Sequence, residues 1–147
     1  MTLRRRQWLA LALSPACGLP GTAAATPAAM EAAVKAFVGN APLRTGRVTL
    51  DIAPLVENGN TVPVTVRVES PMTAADHVRT IALFNERNPQ HEVAVFQLGP
   101  RNGLAVVSTR MRLATSQQLV ALARLNDGSC WQARVDVIVT LAACVES

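Results

Sequence analysis

One stretch of the sequence, residues 61–69, constrains the fold more than any other. Every second residue in it is a valine, and the positions between hold threonine, proline, arginine and glutamate. A period of two is that of a β-strand with one buried face, so we expect a core to be lined by Val62, Val64, Val66 and Val68. Pro63 cannot donate a hydrogen bond to a neighbouring strand, so this strand should begin at an edge or a bulge.

Further strand-like segments follow the same pattern, and turn signals such as Asn58-Gly59 separate them about every ten residues. The predicted strands are residues 47–52, 61–69, 77–85, 92–98, 104–113, 118–125 and 130–141. Tyrosine is absent and aromatic residues make up only 3% of the chain, so valine, alanine and leucine must fill the core. We therefore predict an all-β domain over residues 46–141, an immunoglobulin-like β-sandwich of about seven antiparallel strands.

The first 25 residues have the features of a cleaved export signal. Arginines at positions 4–6 precede an apolar run over residues 8–19, and small residues follow at 23–25. The run is shorter than the ~20 residues of a membrane span, so no membrane association is expected after cleavage. Residues 5–9 are similar to a twin-arginine signal. Arg4 stands where that motif prefers serine or threonine, which leaves the general Sec route open.

Residues 26–45 are predicted to form a short N-terminal helix and a linker. The helix should cover residues 27–38 and end at Gly39, because apolar residues recur at helical spacing at Met30, Val34, Phe37 and Val38. Two roles for it stay open. It is either an arm that packs on a partner or a cap on one end of the domain.

Several function classes are disfavoured by the distribution of charged and catalytic residues. The net charge is +4, but three of the fourteen basic residues lie in the export signal, and the arginines beyond it are scattered, whereas nucleic-acid binding needs a clustered basic face. His77 and His91 have no third residue at metal-ligand spacing, so we expect no metal. No phosphate loop, Ser/His/Asp set or carboxylate pair indicates an enzyme or a cofactor site.

Two cysteines remain after the signal, Cys130 and Cys144. A disulfide is the first expectation for an exported protein, but the segment between them is predicted to be one strand. Such a strand would hold the two cysteines on the order of 45 Å apart, whereas a disulfide needs Cα atoms within about 7 Å. Cys130 stands beside Trp131 at the start of this strand and is expected to be a buried small hydrophobe. Cys144 is expected to be free or to pair between chains.

Cys144 lies in a predicted C-terminal arm of residues 142–147. A thiolate there would be a strong nucleophile on a short tail. Glu146 and the terminal carboxylate disfavour the thiolate form, so reactivity would have to come from a docked partner. These features favour a carrier over a catalyst.

Three stretches give the chain a family resemblance, residues 50–66, 70–73 and 81–85, and residues 139–144 take the place of the family's carrier arm. The sequence resembles the SoxY family, the sulfur-carrier subunits of the bacterial thiosulfate-oxidising Sox system, over nearly all of its length. The resemblance implies a periplasmic, non-enzymatic subunit that pairs with a SoxZ-type partner. It further implies that Cys144 holds the sulfur substrate covalently while periplasmic sulfur-oxidising enzymes, including cytochrome partners, process it.

The arm departs from the family pattern around the cysteine. Ala142, Ala143 and Val145 flank Cys144, where the family typically has glycine pairs on both sides. Alanine and valine restrict the backbone and add width, so enzymes shaped for a glycine arm are expected to accept this one poorly. A second hypothesis also stays open: a noncatalytic β-sandwich binding or assembly module, with Cys144 as an intermolecular disulfide staple.

Overall fold

The computed structural model describes residues 25–143, which form two packed β-sheets with one α-helix outside them. The helix is α1 (Pro27–Val38), and the strands are β1 (Leu43–Thr45), β2 (Val48–Asp51), β3 (Leu55–Val56), β4 (Val62–Val68), β5 (Val78–Asn85), β6 (Glu92–Gln97), β7 (Ala105–Met111), β8 (Gln117–Leu125) and β9 (Cys130–Val139). The predicted arm from Cys144 onward and all of the predicted export signal except Ala25 lie outside the described residues. Within residues 25–143, no helix has the length and apolar character to cross a membrane.

The larger sheet has the order β1-β9-β8-β5-β6, with β3 also paired to β9, and the smaller sheet has the order β2-β4-β7. The core lies between them. Its valines on β4 are no more than 6% exposed, as the alternation predicts, and they pack with buried residues of the larger sheet such as Ile81, Leu83 and Leu119. The immunoglobulin-like sandwich is therefore confirmed.

All seven predicted strands are present, and two short strands were missed. β1 and β3 have three and two residues, too few to show a period of two. Both pair with β9 in parallel, so the sandwich is not purely antiparallel, and β1 lies in the segment predicted as a linker. β4 is the central strand of the smaller sheet, but β2 pairs only with the part of β4 from Thr65 to Val68. Pro63 therefore has a neighbouring strand on one side only, β7.

Helix α1 has the predicted bounds because both of its ends are capped. The Thr26 hydroxyl accepts from the backbone N–H of Ala29 at 3.2 Å, and Gly39 ends the helix with a φ of 65°. The helix packs on the outer face of the larger sheet. Its contacts there are Ala82, Phe84, Val120, Leu122 and Cys130. α1 covers a sheet face and not an end of the domain, and the predicted packing of α1 on a partner stays a prediction. That cover explains why β5 and β8 are buried on both faces.

An ion pair ties α1 to β9. Arg134 donates hydrogen bonds to both carboxylate oxygens of Glu31. This hydrogen bonding and the positive charge of Arg134 lower the pKa of Glu31 below its usual value. The ionised form is therefore favoured in the folded state. The ion pair therefore stabilises the folded state at pH values above the usual pKa of glutamate. This stabilisation is lost as the pH falls through the lowered pKa of Glu31.

We predict that Glu31→Gln lowers the free energy of unfolding at neutral pH by less than about 1 kcal/mol, because the pair is solvent-exposed. The difference from wild type should disappear in acid. Urea unfolding over a series of pH values from neutral into acid measures it. Glu92→Gln is the control, since Glu92 is exposed and forms no ion pair with the described residues. An equal loss in both variants would contradict a role for the ion pair.

Candidate functional site at the root of the C-terminal arm

Strand β9 leads the chain to the point where the predicted arm begins. The strand ends at Val139, but its backbone stays bonded to the segment before β4. The N–H of Ile138 donates to the carbonyl of Pro54 at 2.9 Å, and the N–H of Thr140 donates to the carbonyl of Val56 at 3.0 Å. Residues 54–56 therefore run alongside the last residues of β9 and hold them in place.

Beyond Thr140, three backbone hydrogen bonds fasten the chain at one point. Gly59 donates its N–H to the carbonyl of Leu141 at 2.8 Å, and its own carbonyl accepts from the N–H of Leu113 at 2.8 Å. The N–H of Ala143 donates to the carbonyl of Leu113 at 3.1 Å. We call these four residues, Gly59, Leu113, Leu141 and Ala143, the arm-root clamp. They join three segments that are distant in sequence.

The clamp requires glycine at position 59 for lack of space. A Cβ there would overlap the Leu113 carbonyl oxygen and lie 3.0 Å from the Ala143 nitrogen. Gly59 does not have a positive φ. Glycine is therefore needed here because other backbone segments approach it closely, and not because the backbone is left-handed. The Asn58-Gly59 pair does form the predicted turn, in which the Asn58 side chain accepts from the N–H of Asn60 at 3.0 Å.

Asn88 holds the segment that carries Leu113. Its amide nitrogen donates to the carbonyl of Arg112 at 2.7 Å, and its amide oxygen accepts from the N–H of Ala114 at 3.0 Å and from Gln117 at 2.9 Å. The Leu113 side chain itself is fully buried. The partner of Ala143 is therefore fixed from both sides.

The two sides of the arm root differ in charge. A cleft of 410 Å³ on the side of Gly59 is lined in part by Asp51 and Glu57. Another of 430 Å³ on the side of Leu113 is lined in part by Arg110, Arg112 and Glu92. The first cleft therefore carries two acidic side chains, whereas the second carries two basic side chains and one acidic side chain.

The described part of the predicted arm is anchored to the sandwich. Ala142 is exposed, whereas Ala143 is only 5% exposed and bonded to Leu113. Cys144 and Val145 lie outside the described residues, so substrate attachment to Cys144 stays a prediction. Within the described residues, the chain is therefore anchored up to Ala143 and not only to the end of β9.

Cys130 is a free thiol and is fully buried, as predicted. It is the first residue of β9, which continues without a break to Val139. Ten residues of strand span on the order of 30 Å, so Cys130 is remote from the arm root. No other cysteine lies within residues 25–143.

The two histidines do not meet at a metal site. The Nδ1 atom of His77 lies 2.9 Å from the carbonyl oxygen of Thr73, and that of His91 lies 3.0 Å from the carbonyl oxygen of Asn85. Across the described part of the chain, no group of three or more His, Cys, Asp or Glu residues is arranged to hold a metal ion. Both histidines bond to the backbone of nearby loops and strand ends.

These features define a class: small immunoglobulin-like proteins with an anchored C-terminal segment and a cysteine directly after the anchor. A family model described as sulfur oxidation protein SoxY matches residues 34–144, a range that ends on Cys144. The chain therefore belongs to the SoxY family. No curated protein matches the sequence significantly.

Solved structures show the same fold. The SoxY sulfur carrier protein from Chlorobium limicola f. thiosulfatophilum is 30% identical, with 76% of this chain and 96% of that chain covered and a TM-score of 0.64. A superoxide reductase (neelaredoxin) from Ignicoccus hospitalis is 22% identical, with coverages of 79% and 94% and a TM-score of 0.57. A superoxide reductase from Nanoarchaeum equitans is 12% identical, with coverages of 65% and 100% and a TM-score of 0.55. At such identities the superoxide reductases share the fold alone.

Three residues of the site were not predicted as functional: Gly59, Asn88 and Leu113. Gly59 and Leu113 act through backbone groups, and the Asn88 side chain bonds to the backbone of a segment distant in sequence, so the sequence does not reveal their roles. A signal was available for Gly59, because it lies in the most specific stretch of the family resemblance, residues 50–66. No comparable signal marks Asn88 or Leu113.

Proposed function

We propose that this protein carries a sulfur substrate covalently on Cys144 during thiosulfate or sulfur oxidation. The observation that carries the proposal is the family match, whose last residue is this cysteine. The other cysteine of the mature chain, Cys130, is buried under α1. Its burial supports the assignment of the substrate to Cys144. The protein is then a carrier and not an enzyme, and other proteins perform the chemistry.

Loading of the carrier is an oxidation. The Cys144 sulfur bonds to the terminal sulfur of thiosulfate, the thiol proton is lost, and two electrons leave the pair of sulfur atoms. A cytochrome partner accepts those electrons. The docked partner supplies the environment that activates the thiol.

The partners and the compartment belong to the same proposal. The export signal in residues 1–25 delivers the protein to the periplasm, and a SoxZ-type subunit forms a heterodimer with it. Periplasmic sulfur-oxidising enzymes then bind the arm in turn. The replacement of glycines by Ala142, Ala143 and Val145 favours client enzymes with a wider entrance than a glycine arm needs.

The staple hypothesis remains as a second candidate because one observation favours it. Leu55 and Ile138 pair in register at the edge of the larger sheet and are 57% and 60% exposed. Exposed apolar side chains at a sheet edge suit a protein partner. In that case Cys144 would lock the partner in place through a disulfide.

Non-reducing gels of protein isolated from thiosulfate-oxidising cells distinguish the two functions. Thiols are alkylated at lysis to prevent exchange. A carrier should migrate mainly as a monomer whose Cys144 peptide is modified. A staple should instead give a persistent reductant-sensitive dimer that disappears in Cys144→Ser, with no sulfur adduct under any sulfur source.

A further inference from the structure

The state of the arm-root clamp decides which residue is the last one whose backbone is hydrogen-bonded to the sandwich. With the clamp closed, the backbone is bonded as far as Ala143, one residue before Cys144. Without the Gly59–Leu141 and Ala143–Leu113 hydrogen bonds, the last bonded residue would be Thr140, which donates to Val56. Release of the three intervening residues adds on the order of 10 Å of extended chain.

The closed state is held by few interactions. It contains two hydrogen bonds from the arm to the sandwich and the buried methyl group of Ala143. Leu141 contributes no buried side chain, since it is 61% exposed, and Ala142 is exposed as well. A clamp of this size can open without unfolding the sandwich, because local openings cost far less than global unfolding.

We propose that Gly59 is a positioning residue that sets the reach of the carrier thiol. The closed clamp fixes the backbone up to Ala143, and opening of the clamp moves the last fixed residue back to Thr140, so that a longer stretch of chain before Cys144 can extend into a partner. Gly59 alone permits the closed state, because any side chain at this position would separate Leu113 from Ala143. The consequence for sulfur transfer rests on the proposed function, but the clamp is measurable without any sulfur compound.

The test compares Gly59→Ala with Gly99→Ala in the full mature chain. Gly99 is the matched control, because an added Cβ meets nothing within 4 Å and its φ of −151° is extended. Hydrogen exchange of the Ala143 amide reports the clamp, and a nitroxide on Cys144 reports the mobility of the arm. The buried Cys130 thiol reports global unfolding through its own reactivity.

In Gly59→Ala, we expect the Ala143 amide to exchange about three- to tenfold faster, the effect of losing one or two backbone hydrogen bonds. The nitroxide spectrum should sharpen, and Cys130 should stay unreactive. Gly99→Ala should behave as wild type. Equal exchange and equal spectra in the two variants, with Cys130 protected in both, would overturn the proposal.

If Cys130 becomes reactive in Gly59→Ala, that variant has unfolded globally, and a second pair of variants tests whether Ala143 anchors the arm. Ala143→Gly removes a buried methyl group, whereas Ala142→Gly makes the same change at an exposed position. Both loosen the backbone to a similar extent. The nitroxide should sharpen more in Ala143→Gly than in Ala142→Gly, and identical spectra would show that Ala143 anchors nothing.

Discussion

Cells that depend on this protein should lose thiosulfate oxidation when Cys144 is replaced by serine. The hydroxyl group of serine is close in size to a thiol, but without an activating base it is a far weaker nucleophile than a thiolate, and it cannot form the sulfur–sulfur bond of the proposed adduct. Oxidation should therefore fall to the level of cells that lack the gene. Thiosulfate consumption after complementation with each variant measures the effect.

Cys130→Ala is the matched control for this experiment. Cys130 is fully buried beneath α1, so its replacement removes a thiol without touching the arm root. We expect nearly normal thiosulfate consumption, with a modest loss of stability. Normal consumption in Cys144→Ser would contradict the carrier role, provided that immunoblots show equal amounts of the two variants.

The largest effect on stability is expected from Phe84→Ala. Phe84 is fully buried on the outer face of β5 and packs edge-on against Phe37 of α1, with ring centroids 6.0 Å apart. Truncation leaves a cavity between the helix and the sheet, so the free energy of unfolding should fall by about 3–5 kcal/mol. Urea unfolding followed by circular dichroism measures the loss.

Leu104→Ala provides the reference for that measurement. Leu104 is 72% exposed, so its truncation should change the free energy of unfolding by no more than about 0.5 kcal/mol. If Phe84→Ala cost as little as Leu104→Ala, α1 could not be packed on the outer face of the larger sheet as described.

The strands were predictable where the alternation of side chains was long enough to read. β4 has seven residues with a valine at every second position, and one buried face follows directly from that pattern. β3 has only two residues and exists because it pairs with the end of β9. Its formation depends on contacts across more than eighty residues of chain, which local sequence does not encode.

The helix shows the same division between local and long-range information. Pro27 and Gly39 mark its ends, so its bounds follow from local sequence. Its position does not, because it is decided by side chains on β5, β8 and β9. One signal was present: residues 81–85 are mainly apolar on both faces, which indicates a strand covered from both sides.

The arm root was the least predictable part of the molecule. The sequence directs attention to Cys144 and its neighbours, but the clamp consists of backbone groups of Gly59, Leu113, Leu141 and Ala143. Backbone hydrogen bonds between distant segments leave no pattern of side chains. The sequence therefore predicts the chemistry of the site, whereas its anchoring follows only from the fold.

The central claim, that Cys144 carries sulfur covalently, is tested most directly by mass analysis of the C-terminal peptide. Protein is isolated from cells that are oxidising thiosulfate, with free thiols blocked at lysis. We predict a sulfur-containing adduct on the peptide with Cys144, removable by a thiol reductant, while the peptide with Cys130 carries none. Finding Cys144 only as a blocked free thiol in actively oxidising cells would contradict the carrier function.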